Sequence, residues 1–555
     1  MLRTDTDAEL VLRAYESWDE TCPEHIIGDF AFVIWDRRKK RLFCARDILG
    51  MKPFYYYSDD RTFLCGSEPQ QLFADPTIRR EPNEGMIGEY LARAITDQEE
   101  TLYRGVFRLP PAHLLIVQPG RLRKARYWDI DAARKIRYGT DAEYAEHFSA
   151  IFKEAVRCRL RSYGRVGAYL SGGLDSSAVV GLVQSLYREG ALADSGFETF
   201  SMLFPGLPCD ESPYIRDVVQ MWGIKPNAVY PKESDGARYA TQVRRHHDFP
   251  NYPNGSMSDC LKALAQAKGF RVLLTGLGGD DWLIGSFCHY ADLLRRFRIV
   301  ALIQQARFDS RVSTMVVLPS SVYQYGFKLL LPQTVRRVAR WLLRREGFPR
   351  WMDPHFAHRI HLAERLRRQA VRRPFSTFAQ EDLYRQGFSG FAAHFAEVEE
   401  RSASWFGLEQ RHPFHDKRII EFALALPEEQ RWRRDQPKFV LRQAMQGLLP
   451  ETVRLRLTKA DFSHVFAEAL QVQGGERLFD SLTIASMGWV NGARVHEMYR
   501  ELSQLYAKGD RRYTRHVWPL WLAYGIELWF NTVFLKREVS SSKGASIQEA
   551  NTQPS

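Results

Sequence analysis

The chain has 555 residues, 45% of them hydrophobic and 26% charged, with a formal net charge of +12 and seven cysteines. That length exceeds what one core serves, so two or three domains are expected, and the composition excludes a disordered, collagen-like or membrane-embedded chain. The cysteines show no CxxC or metal-ligand spacing and read as free thiols of a reducing compartment. "MLRTDTDAEL" has no signal-peptide pattern and no run reaches the ~18 apolar residues of a spanning helix, so the expectation is a cytoplasmic protein without a transmembrane segment.

Residues 25–70 alternate apolar and polar side chains in "DFAFVIWD", "RLFCAR", "PFYYYS" and "TFLCGS". Gly, Asp and Pro punctuate them, which predicts antiparallel strands in a small layered domain. "HLLIVQPGRLRKARYWDI" (113–130) adds a hairpin, and a polar link follows at 128–140. From 141 helices alternate with buried strands: "DAEYAEHFSAIFKEAVRCRLR" is an amphipathic helix, "VGAYLS" and "FETFSMLF" are strands, "DESPYIRDVVQMWG" is a helix, and "RVLLTG" is a strand. That order implies a parallel sheet with crossovers. Beyond 290 the pattern is mainly helical, and "REVSSSKGASIQEANTQPS" reads as a disordered polar tail, 536–555. Basic charge concentrates at 336–351 and 359–375, where Arg alternates with apolar residues at helical spacing. A solvated helix face is one reading; a patch for nucleic acid, an acidic partner or a membrane surface is the other.

Two strands end in glycine-rich acidic turns. In "AYLSGGLDSS" (168–177) a buried strand runs into Gly172 and Gly173, and Ser176 and Ser177 then fall in the first turn of a helix. Strand, glycine turn and helix N-terminus make an anion site. The second turn is "TGLGGDDW" (275–282). In a parallel sheet both open into the crevice beyond the carboxyl ends of the strands, where Asp175 and Asp280 could share a hard cation that bridges phosphate oxygens. An ordinary strand-to-helix turn is the alternative for either motif taken alone.

"SGGLDSS" resembles the pyrophosphate-binding loop of the ATP pyrophosphatases. With "FSMLF" (200–204), "CDESPYIRDV" (209–218), "LLTGLGGDD" (273–281), "RHPFHDKRIIEFALALP" (411–427) and "KFVLRQAMQGLLPETVRLRLTKADF" (438–462), the chain resembles the glutamine-dependent asparagine synthetases over roughly 141–470. "TDAELVLRAY", "GDFAFVIWD", "ARDILGMKPFYY" and "GSEPQQLF" resemble the second half of that family's glutaminase domain. The resemblance implies an α/β protein: a truncated, β-rich, αββα-type Ntn-hydrolase-like domain at 1–127, a linker at 128–140, and a parallel-sheet synthetase domain with a helical C-terminal part at 141–535. It also implies a reaction, in which ATP activates a carboxylate as an acyl adenylate, pyrophosphate leaves and an amine attacks to give an amide. Ser171, Gly172, Gly173, Ser176 and Ser177 would hold the pyrophosphate, with Gly276 in the opposing turn. Asp175 and Asp280 match the family's magnesium positions, and Leu170 and Met202 would pack against adenine. Lys459 in "RLRLTKADF" matches a lysine facing the phosphates, with a surface lysine as its other reading. Glu409 matches an acid near the acceptor side, with a structural pair to Arg411 as its other reading.

Two departures shape the functional expectation. The family's glutaminase nucleophile is a cysteine at position 2, where this chain has Leu2; the family's glutamine-holding Arg and Asn-Gly segments are absent too, because the chain begins near a strand holding Asp7. A truncated chain or a scaffolding remnant would each explain this. Second, the family's turn carries an acid where this chain has Leu277. Relatives that keep ATP chemistry with altered substrates are the β-lactam synthetases and lasso-peptide cyclases. The readings are therefore a glutamine-independent amide synthetase acting on a precursor peptide, with a partner maturation protein; an asparagine synthetase lacking its first segment; a non-catalytic nucleotide-binding scaffold; and a pyrophosphatase-loop enzyme acting on RNA, for which no RNA-binding module is present. ATP and Mg2+ are the implied cofactors, no nucleic acid is expected, and an oligomer is compatible with the sequence.

Overall fold

The alternation of the N-terminal strands decides the architecture of the first unit. A computed structural model describes residues 6–191, 196–231, 237–312, 318–332, 334–335, 348–368 and 375–535. Strands β1 (Ala31–Asp36), β2 (Arg41–Arg46), β3 (Tyr55–Ser58), β4 (Phe63–Gly66), β5 (Val106–Arg108), β6 (His113–Gln118) and β7 (Arg121–Arg126) form two antiparallel sheets, ordered β1-β2-β6-β7 and β4-β3-β5. On one face of the first sheet Phe43, Ala45, Leu114 and Ile116 pack against Ala14 and Tyr15 of helix Asp7–Trp18. On the other, Cys44 and Leu115 meet Tyr56 of the second sheet, whose Tyr55 packs on Met86, Ile87 and Tyr90 of helix Glu84–Leu91. Period-two side chains thus give the expected helix–sheet–sheet–helix layers. The β6–β7 hairpin closes through Pro119 and Gly120, and Gly120 takes φ +70° as such a turn requires. One expectation is corrected: Asp7 lies not on a strand but in the first turn of a helix whose N-cap, Thr6, accepts the Glu9 N–H at 3.4 Å.

The second unit opens with helix Asp141–Arg159, started by a reciprocal capping box between Thr140 and Glu143. Strands β8 (Arg165–Tyr169), β9 (Glu198–Met202), β10 (Lys225–Val229), β11 (Phe270–Leu274) and β12 (Glu409–Arg411) form one parallel sheet in the order β10-β9-β8-β11-β12. Helices Asp141–Arg159 and Leu174–Arg188 cover one face, and helix Asp259–Ala267 covers the other through Leu261 and Ala265. From β8 the chain moves outward through β9 and β10, then returns to the opposite side of β8 as β11. The β8/β11 gap is therefore the switch point of the topology, where α/β sheets open a crevice. Leu274 sits opposite Ala168, so the two glycine turns leave the sheet side by side.

The remainder is mainly helical, and its core, including Trp521 and Trp529, is shared with Tyr55 and Tyr90 of the first unit. Most of the basic stretch 336–351, residues 369–374 of the second stretch, and the tail 536–555 lie outside the described residues. In the described part of the second stretch Arg365 pairs with Glu89 (2.8 Å) and Glu100 (2.7 Å) of the first unit, while Arg359 and Arg367 are exposed. A buried ion cluster also joins the units. Glu397, on helix Gly390–Trp405, accepts from Arg46 (3.0 Å), Arg108 (2.9 Å) and the Tyr55 hydroxyl (2.8 Å), and its side chain is fully buried. Burial alone would raise this carboxyl, but Arg108 and Arg46 outweigh it and hold Glu397 down to about 2.

Removing that carboxylate strands two buried guanidinium groups. Glu397→Ala is expected to cost about 3–5 kcal/mol in urea-induced unfolding. Because the folded-state value is depressed, the Glu397 contribution is complete above pH ~4.5 and is lost as pH falls toward about 2. Glu397→Gln should flatten the acid limb of the stability profile in that window; an unchanged limb would remove Glu397 as its source.

Candidate active site

The loop after β8 turns at Gly172, at φ +76°, and a Cβ there would stand 3.0 Å from the Glu211 carbonyl and from the Tyr214 side chain. Only glycine lets the "CDESPY" segment close on the loop. Helix Leu174–Arg188 starts from Gly173 without a side-chain cap, so its first amides face the crevice. The loop is braced internally: the Ser171 and Ser176 hydroxyls lie 2.9 Å apart, the Ser171 N–H donates to Ser176 Oγ (3.1 Å), and the Gly173 N–H donates to Ser171 Oγ (3.3 Å). Ser177 is wholly buried, and its hydroxyl has no hydrogen-bond partner among the described residues.

The second turn lies directly on the first. A Cβ on Gly276 would come within 2.5 Å of the Ser176 backbone nitrogen, and one on Gly279 within 2.4 Å of the Asp175 carboxyl carbon. This contact brings Asp175 and Asp280 to a common point occupied by a side chain that sequence reasoning had passed over. Lys438 Nζ bonds both carboxylates, Asp175 Oδ2 and Asp280 Oδ1, the latter at 2.7 Å, with its own side chain only 8% exposed. Lys459 Nζ reaches Asp280 Oδ2 from a side chain that is 75% exposed. Burial would raise Asp280, but Lys438 and Lys459 outweigh it and hold this carboxyl well below the usual range. For Asp175 burial prevails, and its carboxyl is raised despite Lys438. Lys438, whose charge burial alone would disfavour, is raised by its two acids.

Asp175 Oδ1 is buried with no hydrogen-bond partner among the described residues. An orphaned carboxylate oxygen beside a second carboxylate suits a hard divalent cation that completes its shell with phosphate oxygens. Arg456 adds a third cation at the rim, with Nη1 2.5 Å from Glu211 Oε1 and 3.3 Å from the Gly172 carbonyl. Its segment is held in place by Arg442, which donates to the carbonyls of Pro437 (2.8 Å), Arg454 and Arg456 (2.8 Å).

The remaining sequence candidates divide. Met202 is half-buried at the end of β9 among Phe200 and Leu273, while the Leu170 side chain is fully buried in the core, away from any adenine contact, and its carbonyl accepts from Ser201 Oγ at 2.6 Å. Glu409 is not brought to the carboxylates: both its oxygens are taken by Arg411, at 2.9 and 3.0 Å, and Lys52 of the first unit contributes to its field. Beside the glycine turn, Leu277 donates its N–H to Thr275 Oγ1 (3.1 Å), which lies 2.6 Å from His412 Nδ1. Burial pushes His412 well below its ordinary value, so the group beside Thr275 is a neutral imidazole.

Comparison with known proteins gives family matches over most of the chain. The family model described as asparagine synthase matches residues 147–531, and the one described as glutamine amidotransferase domain matches residues 1–128. Asparagine synthetase (glutamine-hydrolyzing) 3 of Bacillus subtilis (strain 168) is 25% identical over 463 residues, 81% of this chain and 70% of the relative. Putative asparagine synthetase (glutamine-hydrolyzing) 2 of Methanocaldococcus jannaschii is 33% identical over 291 residues, 52% of this chain and 55% of its own length. Amidase chyE of Penicillium rubens is 29% identical over 306 residues, 52% of this chain and 44% of its own length. The chain thus spans about half the length of the latter two.

Gly276→Ala tests the contact between the turns. It should destabilise the fold by about 1–3 kcal/mol through overpacking and weaken pyrophosphate binding in calorimetry at least about tenfold. Gly139→Ala, with only the Glu143 carboxylate nearby at 3.5 Å, should change neither.

Proposed function

The chain belongs to the asparagine synthase family, and we propose that it is an ATP-dependent, AMP-forming carbon–nitrogen ligase that works without glutamine, its carboxylate supplied by a peptide side chain in the manner of a lasso-peptide macrocyclase. The observation that carries this reading is the closure of the two glycine turns around Asp175, Lys438 and Asp280 at the switch point of the sheet.

In the proposed reaction the triphosphate lies along the turn 171–177, its charge met by the amides at the start of helix Leu174–Arg188 and by Lys438, Lys459 and Arg456. A substrate carboxylate oxygen attacks the α-phosphorus; the new O–P bond forms as the bond to pyrophosphate breaks. An amine then attacks the acyl carbon, the C–O bond to AMP breaks, and the amine proton leaves with solvent. Mg2+ held by Asp175 and Asp280 would neutralise charge on the phosphate oxygens. Lys459, exposed and paired with Asp280, can follow the charge that builds on the phosphates.

Two features support the glutamine-independent form. Leu277 leaves the acceptor side without the acid that the family's turn carries. The first unit's thiols are also poor nucleophiles, since burial pushes Cys22 up to about 12 and raises Cys44 and Cys65. The names of the relatives favour the second reading, synthesis of asparagine from aspartate.

The deciding experiment measures ATP conversion to AMP and pyrophosphate by this chain with aspartate and ammonia, or with a candidate precursor peptide. Turnover only with peptide, with loss of one water from the peptide mass, supports the macrocyclase reading; asparagine formed from ammonia replaces it with the second. Asp175→Asn and Asp280→Asn are each expected to abolish AMP formation in a folded protein, and retained activity would overturn the shared site. Lys459→Ala should slow adenylation about 10²-fold or more.

A further inference from the structure

Residues 289–312 and 318–332 form a helical outcrop with a one-sided core. Tyr290, Leu293 and Leu294 of helix His289–Arg295 pack against Leu302 and Ala306 of helix Ile299–Val312 and against Tyr325. Along helix Ile299–Val312 positions 302, 306 and 309 are buried, while Val300 and Ile303 face outward at 70% and 46% exposure. Beyond it Tyr323, Phe327 and Leu330, four and three residues apart, are 58%, 53% and 38% exposed. Phe297, at the corner between the first two helices, is 89% exposed and sits at φ +56°, a conformation a bulky side chain rarely takes. Exposed apolar groups that recur at helical spacing mark a contact surface.

The charge around them has one sign. Between 289 and 332 the sequence carries Arg295, Arg296, Arg298, Arg307, Arg311 and Lys328 against Asp292 and Asp309. Both acids are buried: Asp292 accepts the N–H groups of Phe378 (3.0 Å) and Ala379 (3.1 Å), and Asp309 accepts the Tyr290 hydroxyl. Arg295 and Arg298 are within 3.5 Å of Asp292 and 3.7 Å of Glu429 respectively, and Arg296, Arg307 and Lys328 are exposed. We infer that this outcrop docks on an anionic lipid surface, with Phe297, Val300, Ile303, Tyr323, Phe327 and Leu330 entering the interface and the basic side chains meeting lipid phosphates. A nucleic acid would engage the arginines but give the aliphatic side chains no partner. The inference is independent of the reaction proposed above.

Flotation of the full chain with vesicles tests it. The protein is expected to float with vesicles of equal parts phosphatidylglycerol and phosphatidylcholine. Binding should fall at least about tenfold on pure phosphatidylcholine or in high salt, and similarly in the double variant Val300→Asp, Phe327→Asp. Both changes are at exposed positions away from the crevice, so thermal unfolding and ATP turnover of the variant should match the parent. Absence of flotation, or equal binding to both vesicle types, overturns the inference. So does a change of oligomeric mass by light scattering, or of oligoribonucleotide binding, in the variant in place of a change in flotation.

Discussion

One buried ammonium organises the crevice. Lys438 bridges Asp175 and Asp280, which lie on different turns and far away in the chain, and a charge so enclosed is tolerable only because two carboxylates meet it. The same residue takes φ +58° at the start of helix Phe439–Ala444, a conformation held by its surroundings rather than by local preference. One turn on, Arg442 grips the carbonyls of Arg454 and Arg456 and so carries the segment bearing Arg456 and Lys459 to the rim. Three cations are thereby delivered to the glycine turns from one short stretch, 438–459.

The second constraint is the inverse case, a single carboxylate between two guanidinium groups. Glu397 fastens the first unit to helix Gly390–Trp405, and that helix leads directly into β12. The strand after it places His412 against Thr275, at the base of the second glycine turn. One continuous run of chain, helix Gly390–Trp405, β12 and His412, thus links the ion cluster of the antiparallel unit to the base of the second glycine turn.

Local signals made much of this legible from sequence. Period-two alternation marked β1–β4 and the β6–β7 hairpin, and the glycine turns located Asp175, Gly276 and Asp280. What stayed hidden depends on contacts distant in the chain. Lys438 stood within a recognised motif, yet nothing adjacent to it says that it reaches Asp175. Strand β12 is the charged tripeptide Glu-Gln-Arg, and β10 contains Pro226 and lacks a buried run, so neither has the composition of a central strand. Both occupy the sheet's edges, where tertiary pairing overrides propensity. Glu409 had two readings from sequence, an acid near the acceptor side and a structural pair with Arg411, and Arg411 takes both its carboxylate oxygens.

The crevice is asymmetric in charge, and the asymmetry follows from which side chains its two turns present. On the β8 side, carboxylates and cations are concentrated where a polyphosphate needs them. On the β12 side, Leu277, Thr275 and a neutral His412 offer no charge, and Gln410 and Tyr169 satisfy each other at 3.0 Å. Desolvation in such surroundings disfavours an ammonium relative to the free amine, the form that carries the nucleophilic lone pair. For the reaction proposed here, Leu277 gives the acceptor side no proton-accepting group at its position, while the carboxylates and cations opposite are placed for the phosphates.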